Sequence, residues 1–253
     1  MEPYATADEL WAGALVFARV GAVVMLIPGV GEAYVPPRIR LSFALLLSLV
    51  FTPLVAPGLP PLPDQLSGVV GWMLRETLTG LALGILMRMT LSALGVAGEV
   101  VSLQTTLSFA QTANPLQAQP GTTLAAFLTL LGVTLIFATN LHHLFITAIS
   151  DSYQLIAPQR PLLIQDFAAT AVTTAAQAFK VGIQIAAPVM VFALIFNVAS
   201  GLVGRVMPQF QIFFAAAPLN VLLGLSVFAL SLGVGGMVFI EAYRRALAVF
   251  SGG

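Results

Sequence analysis

Charged side chains set inside apolar runs are the groups whose types could do chemistry in this 253-residue chain: Glu76, Arg88, Glu99 and Lys180 each interrupt a hydrophobic stretch. A charge at membrane depth is costly, so it marks either a functional site or a pair that satisfies it. Glu76 and Arg88 lie about three turns apart on one straight helix, too far to meet. Each therefore needs a partner on another helix, on another subunit or in water. On the structural reading these are ion pairs, or long side chains reaching an interface. On the functional reading they form a polar lining or a coupling site.

The remaining reactive types do not assemble into a motif. His142 and His143 are adjacent, so on a helix their side chains point about 100° apart. They do not converge on a metal as an i, i+4 pair does. There is no Cys, hence no thiolate site and no disulfide. No nucleophile elbow, His-Glu-x-x-His pair, phosphate-cradling loop or dinucleotide fingerprint is present. Ser and Thr are many, but none has a base beside it. No catalytic residue, metal or cofactor is expected, and the chain is not read as an enzyme.

The elements that must position these residues are apolar helices. Only 8% of the chain is charged and 58% is hydrophobic, with a mean hydropathy of +0.98. Soluble domains carry roughly 25% charged residues to cover their surface. The expected surroundings are lipid and other hydrophobic subunits. The apolar runs are unbroken, as in Ala44–Phe51, whereas a membrane barrel alternates with period two. An all-α membrane protein of about six helices is expected, at about 20 residues per crossing, packed as hairpins. The whole chain, 1–253, reads as one membrane domain. Zero net charge points away from nucleic acid.

Six stretches can be drawn. The first runs from about Leu10 to Val30, carries Arg19 and stops at Pro28–Gly31. Its acidic start does not suit a signal peptide, so it is expected to be retained. A polar loop from Glu32 to Arg40 follows. The second stretch, Leu41–Val55, closes on a proline cluster. The third, about Ser67–Leu103, is one helix or two with a break near Gly95 and Gly98. An uncharged polar segment, Gln104–Gly121, separates it from the fourth, Thr122 to about Ala157, which is one helix or a hairpin. The fifth runs from Phe167 to about Val203, with Pro188 as a kink, and the last from Ile212 to Tyr243. Arg38, Arg40, Arg244 and Arg245 lean toward a cytoplasmic side for the first loop and the C-terminus.

Small residues recur at helical spacing: Gly80 with Gly84, Ala93 with Ala97, Ser200 with Gly204. That spacing lets backbones approach closely, within the chain or between subunits.

The segment Ala193–Leu225 carries Gly201, Arg205, Pro208, Gln209, Phe213, Pro218 and Gly224 in order. It resembles the C-terminal signature of the FliR family, whose injectisome relatives include SpaR and YscT. Gln211 stands where the family usually has Asn, and Asn197 where it has an acidic residue. Arg19, Pro28, the Pro36–Arg40 loop, Glu76 with Gly80 and Gly84, Asn114–Pro115, His143 and Ser152 extend the resemblance over the whole chain. It implies a subunit of a type III protein-export gate, flagellar or of the injectisome kind, at the bacterial inner membrane, in a flagellar basal body or injectisome base. The implied partners are FliP-like and FliQ-like membrane subunits, FlhB-like and FlhA-like export components, the lipid bilayer and unfolded substrate proteins in transit. Gly201, Gly204, Arg205, Pro208 and Gln209 become assembly positions beside Gly80 and Gly84.

The resemblance also implies that the loop after the third helix is part of a pore plug. Here that loop holds Thr106, Ser108, Phe109, Gln111, Thr112, Asn114, Pro115, Gln117 and Gln119. No Asp, Glu, Lys or Arg lies between Val100 and Ser150. A neutral loop binds every passing segment weakly, where a fixed charge would trap some and repel others. A secondary transporter or ion channel with broken helices has a similar outline. An internal inverted repeat would favour it, and the sequence shows none.

Overall fold

The computed structural model describes residues 6–108, 121–159, 164–207 and 212–248. Among these, seven α-helices and no strand are present: α1 Ala7–Val24, α2 Pro37–Val55, α3 Leu66–Gln104, α4 Thr123–Ala138, α5 His142–Leu155, α6 Ile164–Val206 and α7 Ile212–Ala248. Four are long and apolar enough to cross a membrane individually, namely α2, α3, α6 and α7, and α4 with α5 passes the same test as a broken pair. The expected all-α membrane class is therefore present, with the fourth stretch divided and the first stretch, α1, not among the helices that pass the test.

Helix ends follow local chemistry. Thr6 and Glu9 form a capping box, Thr6 N–H donating to the Glu9 carboxylate (2.9 Å) and Glu9 N–H to the Thr6 hydroxyl (3.3 Å). This satisfies two orphan donors of the first turn. α1 stops at Val24, four residues before Pro28, because the chain coils into turns closed by Gly31 N–H on the Ile27 carbonyl (2.7 Å). α2 begins at Pro37, inside the segment expected to be a loop. Proline at the first helical position loses no bond and presets φ. Arg38 and Arg40 thus belong to a helix, and Arg40 Nε donates back to the Val35 carbonyl.

α3 is continuous through Gly95 and Gly98, with 39 residues. At 1.5 Å per residue that is about 60 Å, roughly twice the hydrocarbon core. α6 and α7 are similar in length and keep Pro188 and Pro218 inside them. The break between α4 and α5 centres on Asn140, whose φ of +58° is left-handed. Asn tolerates that conformation better than most residues, and the helix cannot run through it.

The described residues form two compact units. One draws on Met1–Thr90, Thr139–Thr174 and Arg244–Gly253, the other on Leu91–Ala138 and Ala175–Tyr243, so α3, α6 and α7 contribute to both. In the first unit α1 is the core element. Trp11, Leu15, Val16, Val20, Val23 and Val24 make one buried stripe, and Trp11 Nε1 donates to the Pro60 carbonyl (3.1 Å). α2 buries only Ala44, Ser48 and Phe51. Its other faces present Leu45, Leu46, Leu49 and Leu54 outward. In the second unit, close backbone contacts lie beside large buried side chains such as Leu128, Ile136 and Phe239. A Cβ at Gly98 would strike the backbone of Ala125 on α4, and one at Gly182 would meet the Ala93 carbonyl on α3 at 2.8 Å. Gly98, expected as a possible break in α3, is a close-approach point instead.

Candidate functional site

The first polar constellation is built on the buried stripe of α1. Arg19 occupies a position of that stripe and is completely buried, as is Glu76 on α3. Arg19 Nε donates to Glu76 Oε2 (2.6 Å) and Nη2 to Oε1 (3.0 Å). This is the two-pronged geometry that a guanidinium offers a carboxylate. The remaining donors reach the C-terminal turn of α5. Nη1 contacts the Ser152 carbonyl (3.0 Å) and hydroxyl (3.3 Å), and Nη2 the Ile156 carbonyl (3.1 Å). The Tyr153 ring lies 4.1 Å from the guanidinium carbon. The Ser152 carbonyl also accepts the Ile156 N–H (2.9 Å), and it and the Ile156 carbonyl sit at the negative end of the α5 dipole, where a cation is favourable. Arg75 adds a bond to the Ala157 carbonyl (3.3 Å).

Gly80 makes the constellation possible. A Cβ there would collide with the Arg19 carbonyl and lie 2.9 Å from Ala22, and one at Gly84 would lie 2.7 Å from Leu26. The pair Gly80–Gly84 thus seats α3 against α1 and the turn after it. With all five guanidinium N–H groups engaged, Arg19 has none left for a ligand. The arrangement fixes α1, α3 and α5 together and has no free acid or base to offer.

The other expected charges separate into different roles. Arg88 Nη2 lies 3.7 Å from Glu32 Oε2, half-exposed, a pairing of little energetic weight. Glu99 accepts from the Thr122 backbone N–H (2.8 Å), where it caps the start of α4. Lys180 is exposed on α6. His142 and His143 stack at 4.2 Å, and no group of three metal-ligating side chains occurs among the described residues.

The second constellation lies at the two ends of the neutral segment. At its start, Asn220 on α7 donates from Nδ2 to the Gln104 carbonyl (3.1 Å), the last residue of α3. Thr105 is buried, and Thr106 turns the chain with φ +58°. At its end, Gly121 takes φ +98°, a conformation natural to glycine. Thr122 then receives Glu99 on its N–H and accepts Ala125 N–H on its hydroxyl (3.2 Å). Because Glu99 sits on α3, the segment leaves and re-enters the fold beside that helix. Thr106 and Ser108 lie at its described edge. Phe109, Gln111, Thr112, Asn114, Pro115, Gln117 and Gln119 lie outside the described residues.

A family described as "Bacterial export proteins, family 1" matches residues 10–246. A flagellar biosynthetic protein FliR of Caulobacter vibrioides is 52% identical over 251 residues, 99% of this chain and 100% of the relative. The chain belongs to the FliR family of bacterial export proteins. FliR proteins of Pectobacterium carotovorum and Escherichia coli are each 30% identical, over 85% and 83% of this chain and 82% and 80% of theirs.

Within this FliR-family chain, the residues of the C-terminal signature behave unlike Gly80 and Gly84. Among the described residues, leaving aside the backbone of its own helix, nothing lies within 4 Å of a Cβ built on Gly201. Gly204 is half-buried and Arg205 exposed. Pro208 and Gln209 lie outside the described residues. The expectation of close packing at Gly201 has no partner among the described residues. Sequence reasoning noted Arg19 but did not place it among the site charges. The available signal was its register: it shares the helical stripe of Leu15, Val16, Val20 and Val23, which had to be buried. Asn220 and Thr122 carried no comparable signal, because their roles depend on contacts with distant parts of the chain.

Proposed function

We propose that the chain is a flagellar FliR-type subunit that forms, with FliP-like and FliQ-like subunits, the inner-membrane pore through which unfolded proteins leave the cytoplasm. FlhB-like and FlhA-like components act beside it. The observation that carries this reading is the end-to-end correspondence with the Caulobacter flagellar FliR, at 52% identity over 99% of the chain. Physical features support it. The long helices expose many large apolar side chains, Leu194, Ile195, Leu202, Leu222 and Leu230 among them, as a subunit of a hydrophobic assembly would. The neutral segment 105–121 has its two described ends tied to the fold, by Asn220 on the Gln104 carbonyl and Glu99 on the Thr122 N–H. We assign it the role of a plug. Thr106, Ser108, Phe109, Gln111, Thr112, Asn114, Pro115, Gln117 and Gln119 make weak, exchangeable contacts in that role, and a hydrogen bond exchanged for water costs little net free energy.

Purification of the tagged chain from its native membrane, with partners identified by mass, tests the assignment. FliP-like and FliQ-like chains in fixed ratio are expected. A monodisperse, heat-stable monomer without partners would overturn it.

A further inference from the structure

The C-terminal end of α7 and the break between α4 and α5 line a half-open cleft of about 380 Å³ that the export reading does not use. Leu141 and Leu247, both almost fully buried, form part of its wall with Leu144. Arg244 and Asn140 line it as well, and both are exposed. Arg244 makes no hydrogen bond or ion pair among the described residues, and neither does the Asn140 carboxamide. The Thr147 hydroxyl, also on the wall, is occupied by the carbonyls of its own helix at 3.1 and 3.4 Å.

We propose that this cleft binds one anionic phospholipid. Its phosphodiester would meet Arg244 and the Asn140 amide, and part of an acyl chain would lie along the leucines. Charge complementarity and depth commit the site to that occupant. The apolar course of α7 ends at the exposed Glu241, Arg244 and Arg245, the change from hydrocarbon-facing to charged residues that marks the headgroup layer. A basic pocket between helices at that depth suits a lipid headgroup. One guanidinium matches a singly charged diester, and the apolar wall has no use for a free inorganic ion.

The test uses the chain purified from membranes with whatever subunits accompany it, stripped of lipid by detergent exchange. Retained lipid is counted by native mass spectrometry, and thermal unfolding is followed while phosphatidylglycerol, phosphatidylcholine or inorganic phosphate is added. One phosphatidylglycerol per chain is expected, with saturable stabilisation that phosphatidylcholine and phosphate do not reproduce. R244Q should weaken it about tenfold, the loss of one charge-assisted bond, while R244K retains part. N140G keeps the left-handed turn but removes the amide, and should weaken binding less than R244Q. Equal effects of the two lipids, full competition by inorganic phosphate, or wild-type binding by both R244Q and N140G would each overturn the proposal.

Discussion

The Arg19–Glu76 pair shows how much a single residue can settle. A guanidinium and a carboxylate, both wholly buried, gain little over a well-packed apolar pair, but removing one partner leaves the other charge stranded at a cost of about 3–5 kcal/mol. R19M and E76L should each sharply reduce the fraction of protein that survives mild heating in detergent. The double variant should lose much less than the two single losses added, though not nothing, since the Ile156 carbonyl loses its Arg19 donor and the Ser152 carbonyl keeps only the Ile156 N–H. Strict additivity would show that the pair is not coupled. R19K should fail to substitute, because an ammonium cannot serve a carboxylate and a helix end at once. The glycines give a second contrast. G80A must displace the Arg19 backbone and should prevent folding. A Cβ at Gly201 meets nothing among the described residues outside its own helix, and G201L should leave the heated fraction unchanged while blocking co-purification of partner subunits. If G201L assembles at wild-type yield, Gly201 is not an assembly position.

Among the elements, α3 and α4 are joined by the neutral segment and tied at its end by Glu99. E99A should release the first turn of α4, seen as faster hydrogen exchange at the amides of Thr122 and the residues after it, with α5 unaffected. Unchanged exchange there would mean that the carboxylate does not hold the turn. How far the elements were legible in sequence depended on what fixed their ends. The proline cluster after α2 and the polar start of the segment after α3 placed those ends correctly, because Pro and a change of polarity act locally. The end of α1 was misplaced by several residues, since the apolar run continued to Val30 while the backbone had already turned at Met25. Pro37 looked like loop material although proline is at home in a first helical turn. Gly98 looked like a break, and only the proximity of Ala125 gives it a different meaning. The pairing of Arg19 with Glu76 and with the end of α5 was not legible at all, because no local pattern links three helices so far apart in the chain.

For the whole molecule, the composition and six apolar stretches sufficed for an all-α membrane protein, and the family match agrees with the signature around Gly201 and Arg205. The proposed plug role is tested on the neutral segment. Deleting Ser108–Gln117 should leave the purified complex intact and raise its ion conductance in a planar bilayer, since both ends of the segment stay anchored by Asn220 and Glu99. A deletion complex as tight as wild type would place the seal elsewhere, and a complex that fails to form would make the segment a strut. The most direct measurement is the amount of flagellar subunit protein released by cells lacking this chain, with the cytoplasmic pool measured alongside. The expected result is release abolished, the cytoplasmic pool maintained, and both restored to normal by the chain supplied in trans. Undiminished release from cells without the chain would contradict its place in the export gate.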